Sequence, residues 1–267
     1  MARIVGVHGI GNHDYVDRNG GAEAAAKTIS RDWTDWLQGD SEVAVGYYSH
    51  LLHRGTPQGD VALLTPGEQE LFVAFVDQLQ PSPQAAQGQI TARARQAGEW
   101  LTERYGEAAR RLAAIFVREV HTYLHHADDS FRTAAREAVA AAIRDHRPEV
   151  VIAHSLGSVV AYEALWADPG LSVPTLITLG SPLGMNGVIF QRLRPAPEAG
   201  RGARPPGVKR WVNLADVGDL VAVPADLCSR FDGVEQSPPV RIARFDFHRV
   251  RAYLGCPDVR DLVSGDF

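Results

Sequence analysis

The chain is short of cysteine, of lysine and of long apolar runs, and each shortage removes a class of protein. Two cysteines in 267 residues, Cys228 and Cys256, allow at most one bridge, which excludes a disulfide framework. Neither sits in a Cys-x-x-Cys or metal-ligand frame, so two free thiols in a reducing compartment are expected. No stretch approaches the roughly 20 apolar residues that carry a helix across a bilayer, so stable membrane insertion is not expected. Met1-Ala2-Arg3 runs straight into an apolar strand with no secretory leader, and the expected location is cytoplasmic. A formal net charge of −5 leaves no basic footprint for nucleic acid. Lys27 and Lys209 are the only lysines; this skew toward arginine carries no functional reading. No internal repeat is evident, and no complete Gly-x-Gly-x-x-Gly or Walker pattern is present, which weakens a nucleotide site. His121 and His125 are four apart on a predicted helix, but Thr122 stands where a metalloprotease frame needs glutamate. With no third ligand in view, no metal is expected.

What is present begins with Val150-Val151-Ile152-Ala153-His154-Ser155-Leu156-Gly157-Ser158-Val159-Val160, an apolar strand that breaks at a serine and restarts as a helix. A serine on such a turn is held in a strained conformation with its hydroxyl lifted clear of the sheet, and small flanking residues keep strand and helix from colliding. Here the small-x-Ser-x-Gly frame has Ala153 in place of the commoner first glycine, a departure of one methyl group. An ordinary strand-to-helix turn is the competing reading of this segment alone.

A second short strand, Arg3-Ile4-Val5-Gly6-Val7, runs into His8-Gly9-Ile10-Gly11-Asn12. This glycine-rich loop exposes backbone N–H groups. In acyl transfer two such donors stabilise the negative oxygen that develops on the attacked carbonyl, at about 10²–10³ in rate per donor. The candidate donors are the amides of Leu156 and Ile10. The loop by itself is equally compatible with a tight turn, or with a phosphate cradle at a helix N-terminus.

A serine hydroxyl needs a base to take its proton and a third group to hold that base. Lys209 to Ala215 reads as a strand whose exit loop carries Asp216 and Asp219, and Val240 to Phe247 reads as the next strand, with His248 at its end. Serine, aspartate and histidine thus follow one another along the chain, each just past the end of a strand, where ligands bind in open α/β sheets.

These pieces, together with Thr178-Leu179-Gly180-Ser181-Pro182-Leu183-Gly184, resemble the α/β-hydrolase superfamily on its lipase and esterase side, and they span nearly the whole chain. The resemblance implies a mostly parallel central sheet flanked by helices, with Ser155 as nucleophile and His248 as base. It also favours Asp219 as the histidine's partner, because Asp219-Leu220-Val221-Ala222-Val223-Pro224 is similar to the lipase pattern of an aspartate followed by apolar residues and proline. Asp216 is the fallback, and whichever aspartate is not catalytic is expected to cap the loop through backbone N–H groups. The implied reaction is cleavage of a carboxylic ester or thioester through an acyl-enzyme, without metal or organic cofactor. The same first half-reaction serves an acyltransferase, a cyclase, a peptidase or an amidase, and a scaffold of this kind can also bind without turnover.

Length suits one α/β domain with an insertion. The core is expected over 1–50 and 127–267, with a helical cap over 51–126, where strand-like alternation gives way to helical spacing. Helices are expected over 22–37, from Pro66 to Leu79, and over 85–104, 107–126 and 130–146, with a second strand over 42–48. The segment Arg192 to Gly207, rich in proline and glycine, reads as an exposed loop. Phe72, Phe75 and Phe116 of the cap either line an apolar acyl pocket or glue the helices to one another. His8 and His154 flank the site as candidate substrate contacts. His13, Asp14 and Asp17 either meet the substrate or cap the first helix. The expected partner is an apolar small molecule, or an acyl chain on a carrier.

Overall fold

The structure, a computed structural model, describes residues 2–38, 41–53, 59–80, 89–125, 127–242 and 248–265. In chain order the elements are β1 (Arg3–Val7), α1 (Tyr15–Asn19), α2 (Ala22–Leu37), β2 (Glu42–Val45), α3 (Ser49–Leu52), α4 (Pro66–Leu79), α5 (Ile90–Tyr105), α6 (Glu107–His125) and α7 (Ser130–His146). Then follow β3 (Val150–His154), α8 (Leu156–Ala167), β4 (Val173–Leu179), β5 (Gly202–Ala203), β6 (Val208–Leu214), β7 (Phe231–Asp232), β8 (Glu235–Gln236), α9 (Val250–Leu254) and α10 (Pro257–Ser264). Six strands form one sheet in the order β2-β1-β3-β4-β6-β8, parallel at every pairing.

A parallel sheet must be covered on both faces, and the strands alternate accordingly. Ile4, Val150, Ile152 and Val212 face one core with Ile29, Trp33 and Leu37 of α2 and with Leu254, Val259 and Leu262 of α9 and α10. Val5, Val7, Val151 and Ala153 face the other, with Val139 and Ile143 of α7 and Val159 and Val160 of α8. Helices α4, α5 and α6 pack on one another and continue this second core. Helix α4 starts where its signals place it: Thr65 and Glu68 form a reciprocal capping box around Pro66.

One buried ion pair ties the helices on this face together. Arg132 of α7 and Glu163 of α8 pair while almost fully buried, Tyr123 of α6 donates to the same carboxylate at 2.8 Å, and so does the backbone N–H of Arg194 at 3.0 Å. Removing either member of such a pair strands the other charge, at a cost of about 3–5 kcal/mol.

Several boundaries differ from expectation. The strand expected over 42–48 ends at Val45, because the Tyr48 N–H turns out of the ladder to bond Nε2 of His8 at 3.2 Å. The helix expected from residue 85 is described from Ile90, and 85–88 lie outside the described residues, as does residue 126. Of the strand expected over 240–247, Val240 makes a single parallel bridge to Asp216, and 243–247 lie outside the described residues. The loop over 192–207 is not wholly exposed. Leu193 is buried, and β5 within it pairs with β7, with Gly202 against the Phe231 ring. No helix among the described residues is long and apolar enough to cross a membrane.

Candidate active site

Because the sheet is parallel, the loops leaving β1, β3, β4 and β6 gather along one edge, and strand order sets their neighbours. Ser155 leaves the central strand β3 with φ 55° and ψ −132°, a region side chains rarely occupy and one that costs about 1–3 kcal/mol. Helix α8 starts at the next residue. Gly157 makes this turn possible: a Cβ there would lie 2.5 Å from the Val7 carbonyl oxygen and closer still to that of His8. The Ser155 N–H donates to the Leu179 carbonyl at 3.0 Å. Behind the turn, the Ser158 hydroxyl donates to the Ser155 carbonyl at 2.6 Å and shares a 2.7 Å hydrogen bond with Ser181.

Nε2 of His248 lies 2.8 Å from the Ser155 Oγ, and its Nδ1 lies 2.8 Å from both carboxylate oxygens of Asp219. A carboxylate beside Nδ1 fixes the tautomer with the proton on Nδ1, which leaves Nε2 to accept from the serine hydroxyl. All three side chains are buried. Asp219 also accepts from the N–H groups of Val221 at 2.9 Å and Ala222 at 3.4 Å, and from the Tyr253 hydroxyl at 2.7 Å. Tyr253 in turn accepts from the Asp216 N–H at 2.9 Å, and burial pushes its phenol far up. Asp216 faces away from the histidine; its carboxylate caps the loop through the N–H groups of Gly218 and Ile242.

The loop after β1 lies against Ser155: a Cβ on Gly9 would sit 2.7 Å from the Ser155 Cβ. Its first peptide planes are held by their carbonyls. The Gly9 oxygen accepts from Nδ1 of His8 at 2.9 Å and from Nδ2 of Asn12 at 3.0 Å, and the Ile10 oxygen accepts from the same Asn12 nitrogen at 3.1 Å. A peptide plane carries its N–H opposite its C=O, so fixing the Gly9 carbonyl also fixes the direction of the Ile10 N–H. The His8 ring stacks on Tyr48 with centroids 4.5 Å apart. Burial holds its pKa down near 4, so it is neutral at ordinary pH. Both of its nitrogens serve the backbone, so it braces the loop at the edge of the cleft that it also lines.

A cleft of about 740 Å³ opens beside the triad, lined by His8, Gly9, Ile10, His154 and His248 and walled by Trp33, Trp36 and Leu112, with Arg18, Arg249 and Arg251 around it. His154 is held neutral by burial and by the neighbouring His248, and its Nε2 has no hydrogen-bond partner among the described residues. Asp14 also lines this cleft, paired with Arg18, and makes no side-chain cap to α1. His13 stacks on His53 instead. Asp17 lies in the first turn of α1. Phe72, Phe75 and Phe116 are not among the residues lining the cleft. They are at most 1% exposed; the Phe75 and Phe116 rings pack together at 5.4 Å and hold α4 to α6, and Phe72 of α4 reaches Gly98 of α5. The His121 and His125 rings stack at 5.4 Å, and no group of three or more histidine, cysteine or acidic side chains among the described residues could hold a metal ion.

Sequence reasoning passed over Tyr253, Asn12, Ser158 and Ser181. Asn12 carried a readable signal, a side-chain amide directly after a glycine turn; the others resemble ordinary core positions. The chain matches no family model, no curated protein and no solved structure, so what the site does must be argued from its own chemistry. An acidic group, an imidazole and a hydroxyl in line suit proton abstraction from the hydroxyl and attack on an electrophilic carbon.

Proposed function

We propose that the protein is a serine hydrolase of the α/β-hydrolase class that cleaves a carboxylic ester or thioester through an acyl-enzyme on Ser155. The observation that carries this reading is the Asp219–His248–Ser155 chain, with 2.8 Å at each link and the serine on a strained turn at the sheet's carboxyl edge. As the Ser155 Oγ bonds to the carbonyl carbon, Nε2 of His248 takes its proton, and Asp219 steadies the imidazolium. The carbonyl oxygen becomes an oxyanion, for which the amides of Leu156 and Ile10 are the donors. The tetrahedral carbon then expels the alcohol or thiol, which leaves with the proton from His248. Water, deprotonated by the same nitrogen, attacks the acyl-serine and releases the acid.

The cleft suits an acyl group laid along Trp33, Trp36 and Leu112, whether on a small molecule or on a carrier. Cys228 and Cys256 are both free thiols, which suits a reducing compartment such as the cytoplasm. Incubation with a fluorophosphonate probe, read by intact mass, tests the proposal. One adduct is expected on wild type, none on Ser155→Ala, and much slower labelling on His248→Ala. A well-folded wild type that takes no label would overturn the catalytic reading in favour of a binding role.

A further inference from the structure

The loop after β1 is also held from the opposite side, by a residue more than a hundred positions away. Glu119, in the middle of α6, is 1% exposed, and its Oε1 accepts from the Gly11 N–H at 2.8 Å. The peptide plane between Ile10 and Gly11 is therefore clamped at both ends, with its carbonyl on Asn12 and its N–H on Glu119. This plane directly follows the Ile10 amide, whose direction decides whether an oxyanion is met. The other oxygen of Glu119, Oε2, is buried without a hydrogen-bond partner among the described residues. A buried carboxylate served by one backbone donor is a costly arrangement, and the neutral acid, which accepts from Gly11 on its carbonyl oxygen and leaves only a hydroxyl on Oε2 unpaired among the described residues, costs less than the charge.

We propose that Glu119 is a positioning residue of the oxyanion loop: through its hydrogen bond to Gly11, helix α6 sets the orientation in which the Ile10 N–H meets the reacting carbonyl. The proposal rests on the serine-hydrolase reading of the site. Burial pushes the Glu119 carboxyl up to about 8 against the opposing pull of the Gly11 N–H, so near neutral pH it holds the loop as an uncharged acid. Above that range its ionisation would set a negative charge against the loop that carries the Ile10 amide, opposing development of the oxyanion.

The shifted histidines and tyrosines around the loop all move away from that range. The Tyr47 phenol is pushed up to about 12 and that of Tyr48 well above its usual value, both sensing Glu119. His8 is already neutral, with its pKa near 4, and the His50 and His13 imidazoles are pushed down by burial. On the cleft side Asp14 and Arg18 are paired with each other, Arg249 and Arg251 stand beyond them, and the Arg118 guanidinium turns away to the Asp60 carbonyl.

The experiment compares wild type, Glu119→Gln and Glu119→Leu by the second-order rate of fluorophosphonate labelling and by kcat and KM on p-nitrophenyl butyrate from pH 6 to 10. Glu119→Gln keeps an acceptor for Gly11 and cannot ionise. Wild type should show an alkaline fall near pH 8; Glu119→Gln should retain wild-type kcat at pH 7 to within about threefold and lose that fall. Glu119→Leu should lose roughly 10–100-fold in kcat and in labelling rate, less than the full loss of an oxyanion donor, with KM little changed. A Glu119→Leu protein as fast as wild type, a Gln variant as slow as the Leu variant, or an alkaline fall that persists in Glu119→Gln would each overturn the proposal. Circular dichroism identifies a misfolded Leu variant, in which case the Gln variant's pH profile decides alone. A wild type that neither labels nor turns over would sink the hydrolase reading itself, whereas labelling at equal rates in all three proteins sinks only the role of Glu119.

Discussion

Ser155 stands between two loops that are anchored in different ways. On the acid side, Asp219 is held by its own turn and by a short C-terminal helix: Val221 and Ala222 supply N–H groups, Tyr253 a hydroxyl and His248 an imidazole N–H. On the other side, the glycine-rich loop is held by its own His8 and Asn12, by Tyr47 and Tyr48 after β2, and by Glu119 of α6. Each side contains a nearly inaccessible carboxyl, Asp219 at 5% and Glu119 at 1% exposure. Four donors converge on the first and one on the second. Burial alone therefore decides little about what an acidic side chain does. The number of donors sorts a group that steadies a neighbouring cation from one that serves as a neutral acceptor.

The comparison breaks most visibly at the acid. Asp219→Asn keeps the shape but loses the charge that holds the histidine tautomer, and kcat on p-nitrophenyl butyrate should fall by about 10⁴. Asp216→Asn is the matched control. Among the described residues its carboxylate bonds backbone N–H groups of its own loop and of Ile242, so the loss should appear mainly as about 1–3 kcal/mol of stability, read from denaturant midpoints. If Asp216→Asn is instead the variant with the catalytic collapse, the assignment of the acid is wrong.

Next in size comes the other loop. Asn12→Ala removes one of the two donors on the Gly9 carbonyl and the donor on the Ile10 carbonyl, freeing the peptide planes on either side of the Ile10 amide. A fall in kcat of roughly 10–50-fold is expected, below the loss of a whole oxyanion donor, with KM nearly constant. Labelling by the fluorophosphonate, whose phosphoryl oxygen occupies the same position, should slow in parallel. A rise in KM at constant kcat would mean that Asn12 contacts the substrate instead.

How much of this was readable from the chain follows the range of the interactions. Ser155 sits directly after β3 and Asp219 in the loop that β6 feeds, and in the sequence His248 follows an alternating apolar run, so chain order and apolar runs locate them. Asp219 was favoured over Asp216 through the resemblance of Asp219-Leu220-Val221-Ala222-Val223-Pro224 to the lipase pattern, with Asp216 as the fallback. Glu119 belongs to another class. It lies on the buried stripe of α6, with Phe116 and Val120 nearby, and an acid in that company was a signal that something polar faces it. Its partner, the Gly11 N–H, is a backbone group with no identity in the sequence. The same holds for Tyr253, which on an amphipathic helix resembles any core aromatic until the Asp216 N–H and the Asp219 carboxylate are found around its hydroxyl. For the three phenylalanines the sequence left two readings open, a pocket lining and a helix contact. An aromatic stripe shows that a face is covered but not by what, and here α4 and α6 cover each other.

The smallest effect should come from Tyr253→Phe, and it asks how much of the acid side's rigidity is redundant. The hydroxyl is a relay, accepting from the Asp216 N–H and donating to Asp219, so its removal takes one of four donors from the Asp219 carboxylate and strands a buried N–H. Each loss is worth about 1–2 kcal/mol, but they fall on different observables. The stranded N–H lowers stability whatever the catalytic role. The missing donor lets Asp219 rotate off the imidazole and should lower kcat by about 3–10-fold without changing KM. Because His248 and two backbone N–H groups still hold the carboxylate, the kinetic loss should stay well short of that from Asp219→Asn. Stability lost with kcat intact would show that the local turn alone suffices to aim Asp219, and that Tyr253 closes the core beneath the site without taking part in its alignment.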